Sequence, residues 1–593
     1  MTGKKPGLSE LLSLSERLGA IGSPSSTSQL TIDLFGSAVG KKLVGELGVF
    51  HYTQDGLDHY ALGQITEVVL RNPILEQSIS RSIVRERERW STVQGRQDTH
   101  TATMDVGAVF ASTGGTLTQS MLGTVPPTGT LIYCATEELL REILAPCLPE
   151  VFYLGYVYGS RLRLPMWFKH FGPGAGGAGE AYSIGIFGKT GSGKSSLAKM
   201  MLVAYARHPR MGLFVLDPMG EFGKDARSAE SPSSMDQIFS RRVFGALGRP
   251  VEVFDIDNLV LDRWELWREI LVQLGFFSDL GIKWGEYQGN AAEYLQDFFE
   301  NQNILLKNVQ GEEVLEKALV FLRDQGAERL YAQRSGAERV RENVRRVLEE
   351  PDSALGAAVR RKWRQAGSLF HERERAYSVA YVVWKALTVG QGARPLVVVD
   401  LSAHPPEIEE SLWNDKVKPL LVERFLQAVV DSGERAYREG GNLNALVVID
   451  EAHRFAPRER VENERKAQIK RVLVDAVRTT RKYGLGWLFI SQTLSSLDRD
   501  VLGQLRVMFF GFGLGSGVEL EALRELVGGE RNYIRLYQSF KDPQSAFGEE
   551  SKTFSFMVVG PVSPLAFSGA PLFFDAFTRP SELLGGNSIN LLR

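Results

Sequence analysis

The chain has 593 residues, 43% of them hydrophobic and 24% charged, with a formal charge of −2. That length exceeds a single hydrophobic core and implies about two to four domains, and the composition excludes a disordered or collagen-like chain. Two cysteines, Cys134 and Cys147, are too few for a disulfide framework or a thiolate metal cluster, and no apolar run reaches the roughly 18–20 residues of a membrane span. A cytoplasmic protein is expected. The near-neutral charge gives no global sign of nucleic-acid binding, but a motor that grips phosphates only in a pore needs no net positive charge.

Residues 8–20 read as a short amphipathic helix, followed by a polar Gly/Ser/Pro/Thr stretch at 22–28. This N-terminal unit (1–29) either docks on a partner or is a frayed terminus. From 30 to 165 short β-like runs (43–51, 60–70, 102–111, 117–122 and 129–135) are separated by turn chemistry at Gly114-Gly115 and at 126–129. They predict a small barrel or sandwich. The mixed-sign run 81–90 reads as a solvated face.

A domain spanning 166–580 opens with a glycine-rich segment (172–179) and then residues 182–199, in which an apolar run ends in Gly188 and a helix-forming stretch follows. Gly188, Gly193, Lys194 and Ser195 fit G-x-x-x-x-G-K-[ST]. A strand, a tight glycine loop and a helix N-terminus present backbone N–H groups to a triphosphate. Gly188, Lys189, Thr190, Gly191, Ser192, Gly193, Lys194, Ser195 and Ser196 are therefore the candidate nucleotide-binding residues. Lys194 is placed to reach the β- and γ-phosphates, and the Ser195 hydroxyl to hold Mg²⁺. Further apolar runs at 213–216, 251–254, 396–399, 446–449, 487–490, 507–512 and 554–559 alternate with helices. They predict an α/β domain with a parallel sheet covered on both faces. Residues 275–393, helix-rich and strongly charged, break this rhythm and read as an inserted helical subdomain. Residues 581–593 form a tail.

The run 446–449 ends in Asp450 and Glu451. Asp450 is expected to hold the Mg²⁺ shell and Glu451 to polarise the attacking water. The strand 487–490 delivers Ser491 and Gln492 to the same sheet edge, where Gln492 can sense the γ-phosphate. Arg478 and Arg481 precede that strand on a helix; one of them is a candidate arginine finger for a neighbouring subunit, the alternative being helix-surface charge.

The phosphate loop, the segment from Leu216 and Asp217 through Glu221 and Phe222, the run Ile449-Asp450-Glu451-Ala452-His453-Arg454-Phe455, the basic turn 481–484 and Ile490-Ser491-Gln492 occur in order. Together they resemble the HerA family of hexameric DNA translocases, relatives of the FtsK motors, over about 30–270 and 394–593. The resemblance implies a RecA-like P-loop ATPase motor preceded by a small N-terminal β-barrel, with 154–163 as the junction and Asp217 and Glu221 near the nucleotide. It also implies ATP and Mg²⁺ as cofactors, a homohexamer and double-stranded DNA in a central channel. A separate effector would dock on the barrel end: a NurA-like nuclease in DNA-end processing, or a nuclease or sirtuin-like NADase in antiviral defence. In such a ring the loop after Asp450 and Glu451 lies near the channel. Its Arg454, Arg458, Arg460, Arg465 and Lys466 are candidate phosphate contacts, or, with Glu459, Glu462 and Glu464 interleaved, a salt-bridged surface loop. The stretch 179–183 lacks the basic residue often found there in the family, and the 275–393 insert is longer than the family leads one to expect. Two rival functions remain at this level: a ring ATPase that assembles and regulates an effector without sustained translocation, and a conjugation- or secretion-type ATPase.

Overall fold

The computed structural model describes residues 7–76, 98–388, 392–404, 410, 413–460, 464–528, 531–566 and 569–591. The charged run 81–90 lies outside them. The first seven strands are β1 (Arg17–Ile21), β2 (Gln29–Leu34), β3 (Leu47–Gln54), β4 (Leu57–Arg71), β5 (Thr99–Thr113), β6 (Thr116–Ser120) and β7 (Leu131–Cys134). β1, β2, β5, β4, β3 and β7 pair in that order, each antiparallel to the next, and β7 returns to β1. The result is a closed six-stranded barrel with β6 appended to β5. Closure leaves those six strands no free edge. Alternation along the strands fills the interior with Leu18, Ile21, Leu30, Ile32, Phe50, Ile65 and Met104, while Leu47, Val49, Leu62 and Phe110 face outward into the core of the second domain.

That domain is built on β8 (Val151–Val157), β9 (Arg163–Trp167), β10 (Ser183–Phe187), β11 (Gly212–Asp217) and β12 (Val251–Asp255). The short pair β13 (Leu259–Val260) and β14 (Tyr377–Ser378) stands apart. β15 (Leu396–Asp400), β16 (Ala445–Ile449), β17 (Leu485–Ser491), β18 (Leu505–Phe510), β19 (Phe554–Val559) and β20 (Leu572–Ala576) complete it. The strands run in the order β12-β15-β11-β16-β17-β10-β18-β19-β20-β8-β9. From β12 to β18 they are parallel; β19, β20, β8 and β9 extend the sheet in antiparallel fashion. Successive residues serve opposite faces. Leu213, Val215, Leu446 and Val448 join the helix Lys194–Ala206 and the outer wall of the barrel, whereas Phe214, Leu216, Val447 and Ile449 join the insert and the helix Lys418–Arg438. Burial on both faces is why these strands read as unbroken apolar runs.

Several boundaries differ from the sequence expectation. The helix foreseen over 8–20 is Leu8–Leu14, and the next five residues are β1, because Leu18 and Ile21 go into the barrel interior. The helix itself packs its buried Leu12 beside Leu139 of the helix Glu137–Ile143, so it lies on its own barrel. β8 and β9, expected inside the 30–165 unit, belong to the large sheet: β8 pairs with β20, whose open edge would otherwise expose a ladder of unpaired backbone groups. β19, expected among the parallel strands, runs antiparallel. The helical insert starts at Trp264, because Trp267 packs edge-on against Trp363 at 5.5 Å in the centre of the insert. At its other end the helix Val379–Leu387 packs on β11 and β15 and belongs to the sheet layer.

Besides the apolar contacts of the barrel's outer wall, a buried amide bridges the two domains. Gln64 of β4, 3% exposed, donates through Nε2 to the carbonyls of Gly45 (2.6 Å) and Phe573 (2.9 Å) and accepts the Phe573 N–H through Oε1 at 2.9 Å. At the rim Arg535 pairs with Glu67 at 3.0 Å. Gln64→Leu keeps the volume and leaves buried backbone groups without partners. It should lower stability by about 2–4 kcal/mol and separate unfolding of the barrel from unfolding of the large-sheet domain in calorimetry, whereas Glu67→Ala, an exposed pair, should cost about 1 kcal/mol or less.

Candidate active site

β10 sits between β17 and β18, with Phe187 level with Ser491 and Phe510, so three parallel strands end at one edge. The loop leaving β10 turns through Gly188 (φ 154°), Gly191 (φ 80°) and Gly193 (φ 86°). A side chain at Gly188 would meet Ser192 Oγ at 2.6 Å and one at Gly193 would meet the Phe554 ring at 2.8 Å, so both positions need glycine for space as well as for backbone geometry. The loop runs into the buried helix Lys194–Ala206. Lys194, 8% exposed, donates from Nζ to the carbonyl of Lys189 at 3.1 Å, closing the loop on itself. Burial lowers its pKa, opposed by Glu451, Asp450 and Glu221. The Ser192 hydroxyl is buried without a hydrogen-bond partner among the described residues.

Four adjacent strands end in aspartates at one level. Asp217, Asp400 and Asp255 are in register at the ends of β11, β15 and β12, and Asp450 follows Ile449, which lies opposite Leu216. Asp217 accepts the N–H groups of Gly220 (2.7 Å), Glu221 (3.2 Å), Phe222 (2.8 Å) and Gly223 (2.8 Å). Asp400 accepts from the Ser402 hydroxyl at 2.6 Å and Arg227 at 2.7 Å, and Arg227 also reaches Asp255 at 3.3 Å. Asp450, 2% exposed, receives only the Glu451 N–H at 2.9 Å among the described residues. Burial and the carboxylates of Glu221, Glu451 and Asp217 push it up to about 7. Glu451 stands in the left-handed region (φ 50°), which aims its side chain across the edge. It accepts from Gln492 Nε2 at 2.9 Å and lies 3.2 Å from His453 Nδ1.

These groups surround a cavity of ≈ 530 Å³. Thr190, Gly191, Gly193, Lys194, Ser195 and Ser196 line it, as do Asp450, Glu451 and Gln492. Gly188, Lys189 and Ser192 build the loop from behind. The cavity also takes in Lys199, Asp225 and Asp236 on one side and Gln544 and Phe554 on another, which no local motif marks, since each is separated in sequence from the loop or looks like an ordinary helix or strand residue. Asp217, expected near the nucleotide, is instead the fully buried anchor of the turn that presents Glu221 to the cavity.

Arg478 and Arg481 lie elsewhere. They precede β17 at the amino edge of the sheet, and the length of that strand puts them roughly 20 Å from Gln492 at the other end. Arg478 pairs with Asp500 at 2.9 Å and Arg481 with Glu180. Beyond Glu451, Arg454 and Arg460 are exposed, Arg458 is half-buried and Lys466 is exposed. The side chain of Arg465 lies outside the described residues. The basic clusters of the insert are engaged by acids: Arg346 with Glu342 at 3.1 Å, Arg360 with Glu312 at 2.6 Å and Lys362 with Asp279 at 2.6 Å.

Residues 181–375 match the family model described as "Helicase HerA, central domain". No curated protein matches the chain. Among solved structures, the genome packaging NTPase B204 of Sulfolobus turreted icosahedral virus 2, in complex with AMPPCP, is similar at 10% identity over 67% of this chain and 98% of its own, with a TM-score of 0.28. VirB4 of Thermoanaerobacter pseudethanolicus aligns at 15% identity over 73% of this chain and 97% of its own, TM-score 0.38. The bacterial conjugative coupling protein TrwBdeltaN70 aligns at 12% identity over 75% and 92%, TM-score 0.38. By that family match, residues 181–375, which hold the glycine loop, are of the HerA central-domain type, a P-loop ATPase domain.

Asp450 gives this site a pH signature. A carboxyl whose folded pKa is raised favours the folded state only while protonated, so that stability is fully present below the unfolded value of 3.8 and is lost as pH rises through about 7. Asp450→Asn stays neutral throughout. In chelator and without nucleotide it should melt higher than wild type at about pH 8, with the difference shrinking towards about pH 4; a scanning-fluorimetry series across that range checks this.

Proposed function

We propose that this HerA-type ATPase domain drives a homohexameric ring motor that hydrolyses ATP to move along double-stranded DNA. The observation that carries the proposal is the convergence of Lys194, Asp450, Glu451 and Gln492 from three strand ends on one cavity. The loop N–H groups and Lys194 bind the β- and γ-phosphates; Lys194 gives up the Lys189 carbonyl to do so. Glu451 accepts a proton from the attacking water, and Gln492, bonded to that carboxylate, ties its position to the γ-phosphate.

The residues fit a magnesium ion. Asp450 is a buried carboxylate with one hydrogen bond beside other carboxylates, a site short of positive charge, and Ser195 lines the same cavity. No group of three or more His, Cys, Asp or Glu side chains among the described residues is arranged to hold a metal. That suits an ion carried in with nucleotide, held by few protein ligands and by phosphate oxygens. When bound, it neutralises charge building on the phosphates.

The site is open on one flank, and neither Arg478 nor Arg481 reaches it from its own chain. A ring in which a neighbour contributes Arg481 closes it. Exposed Arg454, Arg460 and Lys466, with half-buried Arg458 and with Arg465 in the same stretch, then contact DNA phosphates in a sequence-tolerant, salt-sensitive way. The barrel, with the N-terminal helix on its surface, is the docking end for a separate effector, a nuclease or an NADase.

Lys194→Ala should abolish nucleotide binding. Glu451→Gln should bind ATP normally and lose about 10²–10⁴-fold in turnover, measured by equilibrium binding and phosphate release with and without duplex DNA. Normal turnover of Glu451→Gln removes Glu451 as the base, and absence of DNA stimulation in wild type removes translocation. Rings mixed from Arg481→Ala and Lys194→Ala subunits should regain activity that neither shows alone; no recovery places the finger elsewhere.

A further inference from the structure

The triphosphate reading fixes one end of the ligand and leaves the other to be found. The γ-phosphate end faces Asp450, Glu451 and Gln492, all on the β16 and β17 side of β10. A nucleotide anchored there directs its base away from that wall. Two other walls are available.

The first is ionic. Lys199, 3% exposed, donates to Asp225 at 2.7 Å and lies 3.6 Å from Asp236, which also accepts the Ser196 hydroxyl at 3.0 Å. These charges satisfy one another and offer a base neither an apolar face nor a vacant amide. The second wall comes from the far end of the chain, on the β18 and β19 side. Phe554 opens β19, and its ring lies so close to the loop that a side-chain carbon at Gly193 would sit 2.8–3.2 Å from Cδ1, Cγ and Cβ. Gln544 lies over Gly191 in the same way, its Nε2 2.5 Å from where a side chain would begin. Phe554 is half-buried and is the one aromatic among the described residues lining the cavity.

We infer that Phe554 and Gln544 form the nucleobase subsite of this cavity, a purine stacking on the Phe554 ring with its polar edge towards the Gln544 amide. The inference rests on the reading of the cavity as a triphosphate site. A half-exposed ring gives a base an apolar face close to the phosphate loop. A glutamine amide, donor and acceptor at once, matches the paired amino donor and ring-nitrogen acceptor of adenine and not the two acceptors guanine offers on the corresponding edge. Phe554 and Gln544 are therefore specificity-determining residues, with no part in the chemistry.

The test compares ATP with inorganic tripolyphosphate, which has the phosphates and no base, by calorimetric titration of the full chain. Phe554→Ala should weaken ATP by about ten- to a hundredfold, the range that base stacking supplies, and leave tripolyphosphate at its wild-type affinity; Phe554→Trp should restore ATP. Gln544→Ala should reduce the preference for ATP over GTP. Equal loss of ATP and tripolyphosphate would mean that the ring only props the glycine loop, and unchanged ATP affinity would mean that the base lies elsewhere; either overturns the inference, as does failure of Phe554→Trp to restore ATP. An unchanged ATP-to-GTP ratio in Gln544→Ala removes Gln544 from the subsite. If the wild-type chain binds neither ATP nor tripolyphosphate, the triphosphate reading itself falls.

Discussion

Negative charge held out of water at the carboxyl edge of a parallel sheet is the constraint on which the site depends. Four neighbouring strands bring aspartates to one level. A carboxylate left there without compensation is costly, so each must find donors, a cation or a proton. Asp217 folds a turn of backbone N–H groups around itself, and Asp400 and Asp255 share Arg227. Asp450 alone has neither arrangement. The neighbours' solutions shape the cavity, because the turn wrapped around Asp217 carries Glu221 to its wall, and the fourth aspartate relieves its charge by holding a proton up to about pH 7.

The parts of this arrangement legible in the sequence are those confined to a few consecutive residues. The glycine loop, Lys194 and Ser195 are specified by one strand-turn-helix segment, and Asp450 with Glu451 by the end of one apolar run. Sheet burial on both faces was legible because it leaves unbroken apolar strands. What escaped was set by tertiary contact. β1 looked like the tail of an amphipathic helix, since Leu18 follows Leu14 by four residues and only closure of the barrel makes it a strand residue. β8 and β9 fall around the 154–163 junction and the 165 boundary and do not read as strands of the large sheet, because an antiparallel strand carries no local mark of which sheet it will extend. Phe554 read as one more apolar strand residue; its position against Gly193 comes from the antiparallel return of β19 along β18, which no spacing rule records.

Charge in the insert illustrates a different limit. Its arginine-rich helices carry the densest positive charge in the chain, yet Arg346, Arg360 and Lys362 each meet a carboxylate. An exposed pair such as Arg346 with Glu342 contributes roughly 0–1 kcal/mol, so surface charge does not hold the insert together. That task falls to Trp267, Trp363, Phe276 and Phe299, whose rings pack into a core continuous with one face of the sheet. The insert is therefore a thickening of the motor layer and not an appendage on a stalk.

Gln64 gives the joint between barrel and sheet a mechanical character. Its amide meets the Phe573 N–H and carbonyl as a further length of backbone would, so the barrel wall is spliced to β20 by the same kind of bond that holds the strands to one another. A side-chain amide fixed by three buried hydrogen bonds has little slack, because sliding the barrel along β20 or twisting it away would leave the Phe573 N–H and carbonyl without partners. At this point the barrel is held to the large sheet as a neighbouring strand would be, and a force on one is felt by the backbone of the other.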